Sequence, residues 1–536
     1  MKQSVKLSLS QKILTWFSLY RILPKLRRPW FGGISETPRF APHDPWPGST
    51  ERGRSMLAGL FTLRGEQVRF GRNCWSPAKA SPQLLTALHD FDWLRDLDAT
   101  GDKNALNYMQ VMVEDWLHCA PHFPADIARF SARVDVTGHR LFMLLAWYPR
   151  LTEGNSRLAR LLWQSLAEQG MQLRQSRLLP VPDLSQEGRI RPIVPGVAMM
   201  RAIAGLVAFE LCLAKPSTAV KSKADIISGK DSEKTVQLLT ERLPLLYHPD
   251  GGHVSRSPQA QAEILRHLVS CRDVFRQARL PIPEALQNAL DRMAPALRFF
   301  RHGDGGLALF HDSVSGDGSW IDLILAQSQS FGAAPRSLPH SGYERLAAEN
   351  TVVLMDCAAP PPPEAHPFGH ASCFAIEVSI GRERVITNCG AWFAPHAEWW
   401  QAARRSAAHS TLTLEDQDNA EFREGGRIGR RPTLTERHRN ENEQGIWVEA
   451  SHDFYQIKYG AIHQRRLFLA SNGIDLRGED ILHGSQAHYF ALRFHLHPLV
   501  EVSLAVDKNC AYLRLASGAI WQFRSAGGNL NDSETV

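Results

Sequence analysis

CFAIEVSIGRERVITN, residues 373–388, decides the fold class. Its first eight residues (373–380) and its RVITN end (384–388) are rich in β-branched and apolar side chains. Gly381-Arg382 stands between them, where a hairpin turn belongs. The same grammar continues in STLTL (410–414), IWVEAS (446–451) and RRLFLA (465–470), with Asn472-Gly473 at a second turn position. Upstream, the four prolines 360–363 predict a stiff extended loop. Strand patterning begins after about Ala333.

Before that point the pattern is helical, from about Ser81 to Phe331. Leu106, Met109, Val113 and Trp116 share one face at spacings of three and four, and Leu141, Leu144, Leu145 and Tyr148 share another. Segments 156–174, 196–214, 232–247, 258–278 and 283–300 read the same way, with Ser257 and Pro258 suited to an N-cap and a first turn. Successive helices without a legible repeat period predict paired helices in a ring. Helices first and strands second predict two large domains. The expected units are a basic lead-in over 1–50, a helical domain over 51–335 and a β domain over 336–536.

Composition narrows the function. Of 536 residues, 43% are apolar and 22% charged, which is globular usage. The net charge of +6 is concentrated: Lys2, Lys6, Lys12, Arg21, Lys25, Arg27 and Arg28 give +7 in the first thirty residues, leaving about −1 for the rest. A basic total with that origin argues against nucleic acid as a partner. Ile13, Trp16, Phe17 and Tyr20 form an apolar stripe on this segment, so it reads as a helix docking on its own domain or lying on an anionic membrane surface. No export signal is legible, which by itself predicts a cytoplasmic chain. The longest apolar run, 192–214, is broken by Arg201 and Glu210. The eight cysteines lack a C-x-x-C pair and predict free, mostly buried thiols.

The chemistry-bearing stretches are histidine-rich. His248-Pro249-Asp250-Gly251-Gly252-His253-Val254-Ser255-Arg256 is a glycine-freed loop running into a helix start, where an anion would be welcome. The competing reading is a structural turn. His302-Gly303-Asp304-Gly305-Gly306 has the same character. His366 and His370 precede the strand at 373, and His409 precedes the one at 410. In YFALRFHLHP (489–498), alternation puts Arg493, His495 and His497 on one face, a surface suited to a polyanion.

Three motifs together resemble the heparinase II/III-like superfamily of bacterial proteins: Asp250-Gly251-Gly252, His370-Ala371-Ser372-Cys373-Phe374-Ala375-Ile376-Glu377-Val378, and Ala407-Ala408-His409-Ser410-Thr411. DPWPGS (44–49) and RGEDIL (477–482) are also similar, and the likeness runs from about residue 25 to 525. The resemblance implies an N-terminal (α/α) toroid followed by a C-terminal antiparallel β-sandwich, and a lyase cleaving an acidic, uronate-containing polysaccharide by β-elimination. On the lyase reading, His253 and Arg256 of the first loop and His370 of the sandwich are the candidate catalytic residues, and the loop and strand patterns above make His302, Asp304, Arg493 and His495 the candidate substrate-binding residues. Such chemistry needs a cation beside the uronate carboxylate and a base near C5.

This chain departs from the family pattern at several points. The Asn-Asn-His run of characterised lyases reads Pro195-Gly196-Val197-Ala198, their Tyr after the D-G-G loop falls in Gln259-Ala260-Gln261, and their H-x-H-x-D reads Phe368-Gly369-His370-Ala371-Ser372. The structural zinc of some relatives would fall on His370 and His409, with Asn388 in place of the aspartate. Asn is a poor zinc ligand, so no cofactor is expected. Two further readings follow: a catalytically impaired glycan-binding or cell-envelope protein, and a peripheral membrane protein held by residues 1–30. Relatives act in the periplasm or envelope. The chain also ends soon after its last strand, so the sandwich is expected to be short at its C-terminus.

Overall fold

The computed structural model describes residues 37–63, 65–176, 195–213, 230–392 and 397–533. The basic N-terminal segment lies outside them. A small hairpin, β1 (Leu60–Leu63) and β2 (Glu66–Arg69), follows the first described helix, Thr50–Leu57.

Helices Val134–Ala146, Pro195–Leu213 and Pro258–Gln277 pack side by side, and Ser156–Gln175 and Glu284–Phe299 pack against them. The first three form the inner layer, where they are buried nearly all round. Eleven of the 13 residues of Val134–Ala146 are buried, against seven of 20 for the amphipathic Ser156–Gln175. The stretch Gly196–Leu213 is long and apolar enough to cross a membrane, but it is 94% buried here as a core helix. Two glycines permit this inner packing. A Cβ on Gly138 would lie 2.5 Å from the Ala202 Cα, and one on Gly205 would lie 2.0 Å from the Gly138 carbonyl oxygen. The N-cap reading holds at Pro258–Gln277, where Ser257 Oγ accepts a hydrogen bond from the Ala260 N–H.

The β region is antiparallel. Strands β3 (Ser337–Leu338), β4 (Tyr343–Ala348), β5 (Thr351–Asp356), β6 (Ile376–Ile380), β7 (Glu383–Thr387) and β14 (His495–Leu496) form a six-stranded sheet in the order β14-β7-β6-β5-β4-β3. A second sheet, ordered β12-β11-β10-β9, contains β9 (Leu434–Asn442), β10 (Gly445–His452), β11 (Ile462–Ala470) and β12 (Leu476–His483). Strands β8 (Leu412–Leu414) and β13 (Phe490–Leu492) pair with each other, and β15 (Glu501–Leu504), β16 (Cys510–Arg514) and β17 (Ile520–Arg524) form a third group.

The six-stranded sheet is covered on both faces. Tyr343, Leu354 and Ala375 join the helical core, while Leu346, Val353, Met355, Ile376 and Val378 join the core between the sheets. Double coverage explains why β6 is buried along almost its whole length rather than on alternate residues. It also carries Glu377 and Ser379 into the boundary with the helical domain. All eight cysteines are free, and five of them are buried.

Candidate functional site

The two glycine loops are the same structure twice. His248 N–H donates to Gly252 O at 2.8 Å, and His302 N–H donates to Gly306 O at 2.9 Å. Val254 N–H reaches Leu246 O, and Ala308 N–H reaches Phe300 O, each closing a tight bridge after a helix. Each loop then grips the sandwich with its aspartate. Asp250 accepts from the N–H groups of His340 and Ser341, both at 2.7 Å, and from Ser341 Oγ. Asp304 pairs with Arg384 of β7 at 2.8 Å. Gly251 has φ of +84°, and a Cβ there would meet Arg292 O at 2.0 Å. The D-G-G motif is therefore an interdomain joint, as the structural reading of the loop holds.

Arg256 and His253 are withdrawn from any cleft. Arg256 is buried and ion-paired to Asp356 of β5. Its remaining donors reach Ser341 O at 2.8 Å and Ala359 O at 2.7 Å, and its guanidinium lies 4.6 Å over the Tyr343 ring. A cation held this way has no free edge for a uronate carboxylate, contrary to the role expected of it on the lyase reading. His253 is 1% exposed, and its Nδ1 accepts from the Ser255 N–H, which leaves the proton on Nε2, facing Gly196. Burial drives its pKa down to about 3, so it stays neutral.

The sandwich histidines do converge. His370 Nδ1 lies 3.3 Å from His409 Nε2, and the His370 N–H donates to His311 Nδ1 at 3.2 Å. His366 Nε2 lies 2.8 Å from Asp312, whose side chain is 12% exposed and is the centre's opening to solvent among these residues. His370 Nε2 is 3.8 Å from the other Asp312 oxygen. His311 in turn faces Asp356 at 3.8 Å. Burial and neighbouring cationic groups hold His311 and His409 well below the usual histidine range.

A structural zinc does not fit this arrangement. Asn388 Oδ1 contacts His409 Nδ1 at 3.2 Å and the Ser410 N–H, on the opposite side of the ring from His370. Its amide nitrogen donates to Glu377 at 2.8 Å. Glu377 continues the chain to His302 Nε2 at 2.9 Å, and His302 Nδ1 meets Ser379 Oγ. The result is a buried hydrogen-bond relay in which Asn388 orients His409 rather than sharing a ligand position with it.

The four residues assigned to substrate are not gathered around this centre. His302 and Asp304 serve the interdomain relay and the Arg384 pair. Arg493 donates to Thr413 Oγ1 at 2.7 Å, and His495 Nε2 meets Ala407 O at 2.9 Å. Arg493 does not share a sheet face with His495 and His497, because the chain changes partners between β13, which pairs with β8, and β14, which pairs with β7. Sequence reasoning passed over His311, Asp312, Asp356 and Glu377. The repeated H-x-D-G-G pattern was the signal for the first two, since His311-Asp312 follows the second loop closely.

An inner layer of buried helices joined by two glycine loops to a doubly covered antiparallel sheet defines the toroid-plus-sandwich class. The heparinase II/III-like C-terminal family model matches residues 332–536. FtsZ-localized protein C of Caulobacter vibrioides is 30% identical over 93% of this chain and 86% of its own length. Among solved structures, the heparan sulfate lyase HepC from Pedobacter heparinus aligns with a TM-score of 0.54 at 17% identity, covering 97% of this chain and 81% of that one. Heparinase III aligns with a TM-score of 0.63 at 14% identity, covering 94% and 80%. The chain belongs to the heparinase II/III-like superfamily, and its fold is that of the polysaccharide lyases.

Proposed function

We propose that the chain is a glycan-binding member of this lyase superfamily, one that holds an acidic polysaccharide without uronate β-elimination and works beside FtsZ. The observation that carries the first half is the position of Arg256. β-Elimination needs a cation free to neutralise the uronate carboxylate before C5 gives up its proton, and this guanidinium is committed to Asp356 and to backbone carbonyls. His253, the accompanying base, is buried and neutral. Support for the second half is the relative named for FtsZ, which is similar along nearly the whole chain.

The test has two arms. Incubation with heparan sulfate, alginate and glucuronan, followed by ultraviolet detection of C4–C5 unsaturated ends, should give no product while affinity electrophoresis in the same polysaccharides shows retardation. A fluorescent fusion of the full chain should follow FtsZ at midcell. Unsaturated products would restore the lyase reading. That second reading is favoured by one observation, the partly open Asp312 carboxylate beside His366 and His370. Histidine–carboxylate pairs of this kind are able to exchange protons.

A further inference from the structure

One pocket of the β region is lined by arginines. The short helix Ala397–Ala402, the residues after it and the turn Glu424–Gly426 enclose about 190 Å³, with Gln401, Arg404, Arg405, Arg423, Glu424 and Gly426 in the lining. Arg404 is the buried member, 1% exposed. Its guanidinium lies 4.6 Å from the Trp400 ring, 5.2 Å from Phe422 and 5.4 Å from Phe368. Nε donates to Phe368 O at 2.9 Å and Nη2 to Gly369 O at 3.0 Å. Nη1 faces Gly426, where a Cβ would crowd it at 3.1 Å. Gly425 and Gly426 have φ of +74° and +77°, so backbone and space both require glycine at Gly426, and no side chain there narrows the pocket.

Arg405 and Arg423 are the accessible members, with side chains 46% and 67% exposed. Arg405 lies 4.3 Å over the Phe422 ring and meets Asp418 through Nη1 at 2.7 Å. Arg423 has Glu421 at 3.9 Å, beyond hydrogen-bond distance. A guanidinium already fixed against aromatic rings loses little freedom when it takes a carboxylate. Arginine clusters are a recurring device for recognising acidic protein segments.

Size and shape favour a side chain over a sugar. Pockets that enclose a whole small molecule run to roughly 300–1,000 Å³, and this one is smaller, suited to the head of one acidic side chain. The helix that supplies Gln401 also carries Trp399, which stacks on Trp392 with ring centres 6.1 Å apart and planes tilted by 46°. The two indoles are 37% and 45% exposed. Tilted in this way they share no flat face for a pyranose ring, but exposed tryptophan beside arginine is the composition of protein-interface anchors.

We propose that this pocket docks an acidic segment of a protein partner, with one Asp or Glu carboxylate entering among Arg404, Arg405 and Arg423 and a neighbouring apolar residue packing on Trp399. The site is separate from the glycan reading and does not depend on it.

The test uses the full-length protein, with fluorescence anisotropy of a labelled peptide of glutamate and leucine, its glutamine-and-leucine counterpart, and a leucine-free peptide of glutamate and serine. Wild type should bind the first and not the second, and the affinity should fall as salt rises. Arg405→Glu with Arg423→Glu, both at exposed positions, should weaken the glutamate peptide by about ten- to a hundredfold, the effect of losing charge-assisted hydrogen bonds. Arg405→Gln with Arg423→Gln adds no charge and serves if the first variant misfolds; it should act in the same direction. Trp399→Ala should weaken the leucine-containing peptide and leave the leucine-free one unchanged. Retardation in heparan sulfate should be the same in the arginine variants as in wild type. No peptide binding by wild type, or binding that survives both arginine variants, would overturn the pocket. Loss of heparan sulfate retardation together with peptide binding would assign the pocket to the polysaccharide and remove the protein partner. Peptide binding in a wild-type protein that heparan sulfate does not retard would keep this site and remove the glycan reading.

Discussion

Replacing Arg256 with alanine should destabilise the protein rather than change a binding constant. The side chain is 5% exposed and its partner Asp356 is fully buried. Without the guanidinium, Asp356 keeps Ser372 Oγ at 2.7 Å and the Ala358 N–H at 3.2 Å but no cation, since the His311 ring at 3.8 Å is held well below the usual histidine range. Burial already raises the Asp356 pKa despite Arg256, so the variant should take up a proton on this carboxyl. Removing one member of a buried pair costs about 3–5 kcal/mol. At about 2.1 cal/mol/K per residue, a cooperative unit of this size would lose roughly 3–4 °C of melting temperature. Differential scanning calorimetry measures both quantities. Replacing the pair together, Arg256→Met with Asp356→Leu, should recover much of the loss, because no charge is left unpaired. An Arg256→Ala protein that melts within a degree of wild type would refute the latch, and a pure loss of glycan affinity would return Arg256 to the binding site.

Acid should be destabilising over a definite window. Burial lowers the folded-state pKa of His253 and His89 to about 3, so below about pH 6.5 the unfolded chain binds protons that the folded chain refuses. Each should then cost about 1.4 kcal/mol per pH unit as pH falls. Melting temperature should drop steeply from pH 6.5 to 5, and His253→Phe should flatten the slope; a flat profile in wild type would contradict the burial argument. Metal analysis of purified protein should find less than one zinc per chain. Asn388→Asp should lose about 1–3 kcal/mol at neutral pH, since its carboxylate would lie against Glu377; stoichiometric zinc in wild type would show that Asn388 turns to serve as a ligand. Gly251→Ala should lower stability by more than 1 kcal/mol, as it combines a left-handed backbone with a carbonyl at 2.0 Å. Residues 1–30, if they lie on a membrane, should confer flotation with anionic vesicles that their deletion removes.

The order of the chain was legible without coordinates: helices to about residue 331, strands after it, caps at Ser257 and hairpin turns at Gly381-Arg382 and Asn472-Gly473. These follow from local periodicity and turn chemistry, which act over a few residues and are written directly in the sequence. The family motifs were legible for the same reason, as short runs. What the sequence withheld was the partner of each polar side chain. Arg256 looked like a free cation because no local pattern assigns it a partner; Asp356, a hundred positions away, neutralises it only once β5 packs against the helical domain. Arg493 and His495 alternate as if on one strand, and only the switch from β8 to β7 separates them. Asn388 at a zinc-ligand position could be judged weak from its chemistry, but that its oxygen serves the far side of His409 is a matter of ring orientation. Strand and helix are decided by neighbours in sequence, whereas charge compensation and burial are decided by neighbours in space, and in this protein the site is made almost entirely of the second kind.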